Sequence, residues 1–421
     1  MKEIRKIYHL DATVKIPGSK SYTQRALMIA ALANGQSFLR NPLMADDTEY
    51  LMKALRLLGI QILVSDDDII VTGSNGQVEN PGKTLSVGNN GTALRFLTSL
   101  VALGEGPFVV DGSSRLRERP IQPLLRALKN LGVESSTNNN TGYPPVTVHG
   151  GGIRGGRATF VDAESSQYIS SLLISSPYAS DDVEINLEGT TVSTPYIDMT
   201  VGIMNSFGVD VESTGTTKYL VHTPQRYTGR RYVIESDASS ASYFFLAAAL
   251  CRGRVRVENI HPETLQGDIG ILDIIEEVGC DVIRGTDYID VIGKHLTGGN
   301  REFDMGNMPD MVPTLAVLAA FRPGLTVITN VSHLRIKESN RIESLVTELN
   351  RIGITARELS DGLVIHGGNP HGAEIHTYDD HRIAMSFAIA GCVTGGMTIT
   401  NKGCVRKSFP HFWQTLDGLY Q

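Results

Sequence analysis

A polar segment that opens directly into an apolar, Ala- and Leu-rich run occurs six times along the chain. The segments recur roughly every 70 to 75 residues, and such a period is typical of an architecture built from repeated units. A helix start carries unpaired backbone N–H groups and the positive end of the helix dipole, so it attracts anions. Six starts therefore predict a scaffold that holds polyanionic small molecules. They are Gly18–Ser21, Asn90–Thr92, Ser165–Gln167, Asp237–Ser240, Pro309–Asp310 and Asp379–Arg382.

A second series has the same period. Segments of helical pattern end in hydrophobic–x–x–hydrophobic–Gly, and glycine at this position is the usual left-handed residue that closes a helix. Each unit is thus predicted as a strand, a helix with a polar start, a strand, a helix with a glycine stop, and paired strands. The segment Gly106–Asp111 is typical of these strands. The strand Ile7–Ile16 precedes the repeat and fits either half. The glycines are Gly59, Gly132, Gly208, Gly279 and Gly353, with a weaker sixth copy at Gly418.

Chain length and the six units together predict two domains. At 421 residues the chain exceeds what one hydrophobic core usually supports. Three units in each domain place the crossover near residue 235. The first domain is expected over residues 19–235, with most of the hydroxyl and arginine contacts to substrate. The second is expected over residues 1–18 together with 236–421, and it brings the carboxylates.

Composition excludes several classes of protein. The formal net charge of −7 argues against a nucleic-acid partner, which would need a basic stripe. No apolar run approaches the ~18 residues of a membrane span. The four cysteines form no CxxC pair and no metal-binding spacing, which indicates reduced thiols, no metal site and a cytoplasmic protein.

The first polar segment combines a lysine with hydroxyls and an arginine. Ser19 or Ser21 can cap the helix, and Lys20 lies in its first turn. Ser21 and Arg25 are four residues apart and share one helix face, which suits a phosphate or carboxylate. The alternative is a solvated lysine on an ordinary helix start.

The next segments in the first half carry glycine, arginines and hydroxyls. A glycine at a helix start lets a ligand approach free N–H groups, and hydroxyls with an amide suit a polyhydroxylated ring or its phosphate. Pro120 is expected to start a helix that aims Arg119 at the same site. Simple capping and a solvated charged loop are the alternatives. The residues are Gly91, Arg115–Arg119, Ser165, Ser166, Gln167, Ser193 and Tyr196.

The second half brings carboxylates. Asp310 stands at a predicted helix start, where helix capping alone would explain it. Lys337 and Arg341 have the i, i+4 spacing of one helix face, with Glu338 beside them, and a salt-bridged surface helix is the alternative. The segment Asp379–Arg382 again fits a helix cap.

Nine motifs nevertheless follow one another in register along the chain. Their order resembles that of the 5-enolpyruvylshikimate-3-phosphate synthase (3-phosphoshikimate 1-carboxyvinyltransferase) family. The resemblance implies an α/β (α+β) fold of two domains, each with three βαβαββ units around a pseudo-threefold axis, and an active site in the interdomain cleft. The motifs are PGSK-S-x3-R, GN-x-GT-x2-R, ERPI, SSQ, S-x-PYID, SDASSASYF, PD, R-I-K-E-S-x-R and DDHR.

The resemblance also implies the substrates and their contacts, and it implies that no cofactor is needed. The expected partners are shikimate 3-phosphate and phosphoenolpyruvate, with glyphosate-type inhibitors as further candidate ligands and a monomer as the expected state. Phosphoenolpyruvate is expected to contact Lys20, Gly91, Arg119, Gln167, Arg341, Arg382 and Lys407, the last within a family-like Cys404–Pro410 stretch. Shikimate 3-phosphate is expected to contact Lys20, Ser21, Arg25, Ser165, Ser166, Gln167, Ser193, Tyr196, Asp310 and Lys337.

The implied reaction is an addition–elimination in chorismate and aromatic amino acid biosynthesis. The ring 5-hydroxyl adds to phosphoenolpyruvate, a tetrahedral intermediate forms, and phosphate is expelled. A general acid and a general base are needed. The resemblance points to Asp310 for the 5-hydroxyl, Glu338 for C3, and Lys20.

Three other functions are alternatives to this one. The sister enzyme that uses UDP-N-acetylglucosamine typically has a Cys or Asp in the loop before its Arg-Pro, which Arg115–Arg119 lacks. RNA 3′-phosphate cyclases need a nucleotidylated histidine, and a noncatalytic scaffold would not need converging carboxylates. Two departures from the family pattern are His333, where some relatives have asparagine, and Phe96, where several have proline.

Overall fold

A computed structural model describes residues 1–65 and 68–420. The chain divides into two compact units. We call Gly18–Ile234 the continuous unit and Met1–Pro17 with Glu235–Gln421 the split unit. No helix in the described ranges is both long and apolar enough to cross a membrane.

Twelve α-helices lie in the described ranges. They are α1 Lys20–Leu32, α2 Asp46–Leu57, α3 Gly91–Leu100, α4 Gln122–Asn130, α5 Ser166–Ser175, α6 Pro195–Ser206, α7 Ala238–Cys251, α8 Ile271–Glu277, α9 Val312–Phe321, α10 Arg341–Arg351, α11 His381–Thr394 and α12 Phe412–Asp417.

The strands are short and spread along the whole chain. They are β1 Lys2–Ile4, β2 Asp11–Lys15, β3 Gln36–Arg40, β4 Gln61–Ser65, β5 Asp68–Thr72, β6 Leu85–Ser86, β7 Pro107–Asp111, β8 Glu134–Thr137, β9 Val146–His149, β10 Gly156–Val161, β11 Val183–Glu188, β12 Glu212–Thr214, β13 Lys218–Val221, β14 Arg231–Val233, β15 Arg254–Glu258, β16 Asp281–Arg284, β17 Tyr288–Ile292, β18 Arg301–Asp304, β19 Gly324–Thr329, β20 Ala356–Glu358, β21 Leu363–Gly367, β22 Glu374–Ile375 and β23 Met397–Ile399.

The strands form three sheets in each unit, and the sheets share one topology. In the four-stranded sheets an edge strand runs parallel to its neighbour, and two antiparallel strands follow, as in β10-β11-β13-β12 and β18-β19-β21-β20. The three-stranded sheet keeps the same start, with β22 parallel and β1 antiparallel to β23. The predicted α/β fold built from repeated units is confirmed.

Strands β2 and β14 are edge strands in equivalent sheets of the two units. Strand β2, which the sequence left open between the halves, pairs parallel with β15 of the split unit, with Val14 opposite Val257. The equivalent position in the continuous unit is taken by β14, which pairs parallel with β3.

The helices with polar starts form the cores. Nearly every residue of α1, α3 and α5 is buried in the continuous unit, and the same holds for α7, α9 and α11 in the split unit. A helix that is apolar all round is a core helix. The few residues of these helices that are not fully buried lie at the N-terminal end in α1, α3 and α5, and at the C-terminal end in α7, α9 and α11. Within the split unit, α7, α9 and α11 pack against one another.

The predicted glycine stops are confirmed at five of the six positions. Gly59, Gly132, Gly208, Gly279 and Gly353 follow α2, α4, α6, α8 and α10 with φ between 84° and 106°. The sixth copy was wrong as a left-handed stop. Gly418 has φ −68° because the chain continues in right-handed geometry after α12.

Candidate functional site

Side-chain caps fix three helix starts of the continuous unit. The Ser19 hydroxyl accepts from the Tyr22 amide at 3.5 Å, Asn90 Oδ1 accepts from the Ala93 amide at 2.9 Å, and the Ser165 hydroxyl accepts from the Gln167 amide at 3.3 Å. Each cap places the following first-turn residues at the positive end of a buried helix.

Arg25 is a buried cation among hydroxyls. Its guanidinium donates to the Ser21 carbonyl at 3.2 Å, the Thr200 hydroxyl at 2.7 Å and the Ser170 hydroxyl at 3.3 Å. Burial lowers the pKa of Arg25 to about 10. Its Cζ also lies 5.7 Å from the ring centroid of Tyr196, so the predicted grouping of these residues is observed.

A second basic group surrounds the start of α3. Arg95 donates to Gln167 Oε1 at 2.9 Å, and the Gln167 amide donates to the Thr92 hydroxyl at 3.0 Å. A Cβ at Gly91 would lie 2.6 Å from Cζ of Arg119, so the absence of a side chain lets this buried guanidinium rest on the helix start.

Pro120 does not start a helix, which corrects the prediction. Helix α4 begins at Gln122, and Arg119 lies in the loop before it. The loop is fixed instead through the Pro120 carbonyl, which accepts from the Tyr168 hydroxyl at 2.8 Å and from Arg95 at 3.3 Å.

Lys20 faces a carboxylate that the sequence did not single out. Its Nζ lies 3.8 Å from Asp47 Oδ2, and both side chains are mostly buried. The Asn90 amide donates to the Asp47 carbonyl at 2.8 Å and ties α2 to the start of α3. Ser193, with φ 60°, lies in the turn before α6 and is buried, as are Ser165 and Ser166.

Arg341 joins three carboxylates in the split unit. Its guanidinium contacts Asp380 Oδ2 at 2.7 Å, Asp310 Oδ1 at 2.8 Å and Glu338 Oε2 at 2.7 Å. Burial disfavours the charged guanidinium, but the carboxylates of Asp380, Glu338 and Asp310 outweigh it and raise the pKa of Arg341 above its ordinary value. The start of α10 is therefore an internal ion network.

Asp310 is shared between two arginines. Its second oxygen accepts from Arg382 at 2.6 Å, and Arg382 also donates to the Tyr243 hydroxyl at 3.4 Å. Asp310 lies in the 3-10 turn Pro309–Met311 before α9 and makes no side-chain cap, so the capping interpretation does not hold. Lys407 lies 3.9 Å from Glu338.

The i, i+4 interpretation of Lys337 and Arg341 was wrong. Helix α10 begins at Arg341, with Asn340 as its cap, and Lys337 lies in extended backbone after the 3-10 turn Ser332–Ile336. The Asn340 side chain accepts from the Glu343 amide at 3.4 Å, and this cap marks the start of the helix. Arg341 is 1% exposed, so a salt-bridged surface helix is also excluded.

His333 lies in that turn and is 4% exposed. Burial, with the charges of Lys337 and Arg341, lowers its pKa to about 3 despite the opposing charge of Asp310. Within the described ranges neither ring nitrogen has a hydrogen-bond partner. A neutral imidazole therefore lies beside the carboxylate cluster.

Several residues of these clusters were not predicted as site residues. Arg95 lies four residues after Gly91, and this helical spacing could have indicated it. Tyr243 lies within the SDASSASYF motif, although the sequence gave it no role at the site. Asp47 is brought in by a distant segment and carries no local signal.

The family described as EPSP synthase (3-phosphoshikimate 1-carboxyvinyltransferase) matches residues 4–416. The chain belongs to the EPSP synthase family. Its activity is accordingly that of a transferase, and UDP-N-acetylglucosamine as acceptor is not favoured.

Individual relatives match the sequence of this chain over nearly its full length. A 3-phosphoshikimate 1-carboxyvinyltransferase of Trichormus variabilis is 44% identical over 406 residues, which is 96% of this chain and 95% of that protein. One from Methanoculleus marisnigri is 42% identical and covers 97% of each chain. The structure of EPSP synthase from Acinetobacter baumannii has a TM-score of 0.82 at 27% identity, covering 99% of this chain and 97% of that one.

Proposed function

We propose that the chain transfers the enolpyruvyl group of phosphoenolpyruvate to the 5-hydroxyl of shikimate 3-phosphate and releases phosphate. The observation that carries the proposal is the pairing of Asp310 with Arg341 and Arg382, which puts a carboxylate base beside two anion-binding groups. Family membership supplies the identity of the two substrates.

Shikimate 3-phosphate is assigned to the hydroxyl-rich cluster of the continuous unit. Arg25 and Ser21 suit its phosphate, because a guanidinium among hydroxyls offers several directed donors. The backbone at Ser165 and Ser166 adds a helix N-terminus. Gln167, Ser193 and Tyr196 complete the set from this unit, and the resemblance to the family also assigns Asp310 and Lys337 to this substrate.

Phosphoenolpyruvate is assigned to the arginines and lysines. Gly91 and Arg119 contribute a helix start and a guanidinium, and Lys20 and Gln167 belong to the same unit. The resemblance to the family also assigns Arg341, Arg382 and Lys407 to this substrate. The phosphate and the carboxylate of phosphoenolpyruvate each match the paired N–H donors of an arginine. Because the protein is acidic as a whole, it needs such local positive charge to attract this anionic substrate.

The chemistry follows from these groups. Asp310 accepts the proton of the 5-hydroxyl while the hydroxyl oxygen attacks C2 of phosphoenolpyruvate. C3 of phosphoenolpyruvate takes a proton from Glu338 or Lys20. In the second step C3 returns a proton, the C2–O bond to phosphate breaks, and the enol ether forms. The same groups serve as acid and base in reverse order. The surrounding cations stabilise the charge that develops on the departing phosphate.

We also propose a cytoplasmic monomer that needs no metal or organic cofactor. Cys251, Cys280, Cys392 and Cys404 are free thiols, which fits a reducing compartment. Glyphosate-type anions are candidate ligands for the phosphoenolpyruvate residues, since they carry the same two kinds of charge.

Phosphate release tests the proposal. The purified chain is incubated with phosphoenolpyruvate and either shikimate 3-phosphate or UDP-N-acetylglucosamine, and inorganic phosphate is measured. Release that depends on shikimate 3-phosphate is expected. Release only with the nucleotide sugar, or none with either acceptor, would overturn the assignment.

A further inference from the structure

The fourth polar helix start, at α7, has no substrate contact in the proposal above. Its residues are nonetheless tied to a buried segment. Gln266 Oε1 accepts from the Ala238 amide at 3.0 Å, and its amide donates to the Ser236 carbonyl at 2.7 Å. Two residues on, the Ser239 hydroxyl donates to Oδ2 of Asp268.

Asp268 is a carboxylate that is only 2% exposed. It lies in the 3-10 turn Gly267–Gly270, which packs against the 3-10 turn Pro309–Met311 that carries Asp310. A Cβ at Gly270 would lie 3.4 Å from the sulfur of Met308, so the two turns are in van der Waals contact. A buried carboxylate is costly unless it is paired or hydrogen-bonded, and Asp268 accepts the hydrogen bond from Ser239.

We propose that Asp268 is a positioning residue for Asp310, whose buried negative charge offsets the nearby arginines and keeps Asp310 a competent base. Arg341 and Arg382 both pair with Asp310 and favour its ionised form, which weakens it as a proton acceptor, although Glu338 and Asp380 already offset part of the charge of Arg341. The charge of Asp268 adds further to the proton affinity of Asp310. This role rests on the proposed function.

The electrostatics of the cluster agree with the geometry. Burial and, next to it, the charge of Asp310 together raise the pKa of Asp268 to about 6, against the opposing effects of Arg382 and Ser239. Asp237 acts in the same direction as Asp310. The interaction between two titrating groups is reciprocal, so the charge of Asp268 acts on Asp310 as well.

Asp310 is faced by charged and titratable groups from several elements. Arg341 belongs to α10, Arg382 to α11 and Tyr243 to α7, while His333 lies in the Ser332–Ile336 turn. Asp268 opposes the arginines from the turn before α8, in addition to Glu338 and Asp380, which pair with Arg341. Removing its charge therefore leaves the cationic neighbours in place.

The test is the pH profile of kcat/KM for phosphate release in D268N, S239A and the unchanged chain. D268N keeps the shape of the side chain and removes the charge, so the acid limb is expected to move to lower pH by roughly one unit, with a severalfold lower kcat at neutral pH. S239A removes the hydroxyl that favours ionised Asp268, so a smaller shift in the same direction is expected. D273N is the matched control, because Asp273 is a largely exposed carboxylate on α8 and should leave the profile unchanged.

Three outcomes separate the possibilities. An acid limb that stays in place in both variants, or a change confined to the KM for phosphoenolpyruvate, would show a merely structural role and overturn the inference. If circular dichroism shows that D268N does not fold, the acid limb of the S239A pH profile is the test: a shift supports the inference, and an unchanged limb overturns it. An unchanged chain that releases no phosphate with shikimate 3-phosphate overturns the proposed function instead.

Discussion

Asp310 and Arg341, 31 residues apart in sequence, are joined by a 2.8 Å ion pair. The guanidinium is 1% exposed and the carboxylate 22% exposed, so Arg341 anchors a carboxylate that still reaches solvent. Glu338 and Asp380 occupy the other donors of Arg341. One buried cation thus orients three carboxylates at one end of the split-unit core.

Asp310→Asn should abolish the base without collapsing this network. The amide keeps the shape, and Arg341 keeps Glu338 and Asp380 as partners. We expect kcat for phosphate release to fall roughly 10²- to 10⁴-fold, the usual contribution of general acid–base catalysis, with shikimate 3-phosphate binding still measurable by calorimetry. E343Q, at an exposed position of α10, is the control. Near-normal turnover in D310N would remove Asp310 from the mechanism.

Gly91→Ala should weaken phosphoenolpyruvate binding. The added Cβ would lie 2.6 Å from Cζ and Nη1 of Arg119 and 2.7 Å from Nη1 of Arg95, so both guanidinium groups must move. We expect the KM for phosphoenolpyruvate to rise roughly tenfold, or ~1.4 kcal/mol of binding free energy, and more than the KM for shikimate 3-phosphate. G403A, whose Cβ would lie 3.4 Å from Asn401 Oδ1, should be silent in steady-state kinetics. Equal KM values for G91A and the unchanged chain would contradict the packing argument.

His333 should make stability depend on pH. Its folded pKa of about 3 lies below the ordinary value of 6.5, so the unfolded chain binds more protons between these limits. The contribution of neutral His333 to the free energy of unfolding is complete above pH 6.5. It is lost as the pH falls towards 3, at no more than about 1.4 kcal/mol per pH unit. Urea unfolding of H333Q and of the exposed control H295Q, from pH 7.5 to 4.5, measures the difference. Parallel pH dependence in H333Q and the unchanged chain would contradict a neutral buried imidazole.

The glycine stops should differ in tolerance. Gly208 has φ 86° with open space around its Cα, so alanine there is strained only by the left-handed backbone. G208A should lower the free energy of unfolding by about 1–2 kcal/mol. G418A, at φ −68°, should be close to neutral, and urea denaturation followed by circular dichroism compares the two. A destabilisation of equal size at both sites would refute the conformational explanation.

Much of the fold could be predicted because its information is local. A polar cap, a buried apolar run and a left-handed glycine recur within each unit, and each acts through backbone groups a few residues away. Asn90 and Ser165 cap their helices where the pattern indicates. The pairing of β2 was open because a strand carries no mark of its partner, and parallel pairing here joins residues 243 positions apart, as at Val14 and Val257.

The candidate site was predicted as residue types and not as contacts. The resemblance to the family identified Asp310, Glu338 and Arg341 as site residues. Local spacing, however, predicted Lys337 and Arg341 on one helix, which the Asn340 cap prevents. Asp47 and Asp268 gave no local signal, because a buried carboxylate is recognisable only by what surrounds it.

The sequence by itself determined the repeated unit, the places where helices begin and stop, and the family to which the chain belongs. These follow from short-range hydrogen bonding, backbone conformation and periodic burial. Tertiary structure alone decided which charges meet. Ion pairs such as those of Arg341 with Asp310 and Asp380 depend on the packing of α9, α10 and α11. Burial at low dielectric then strengthens the interaction between these charges.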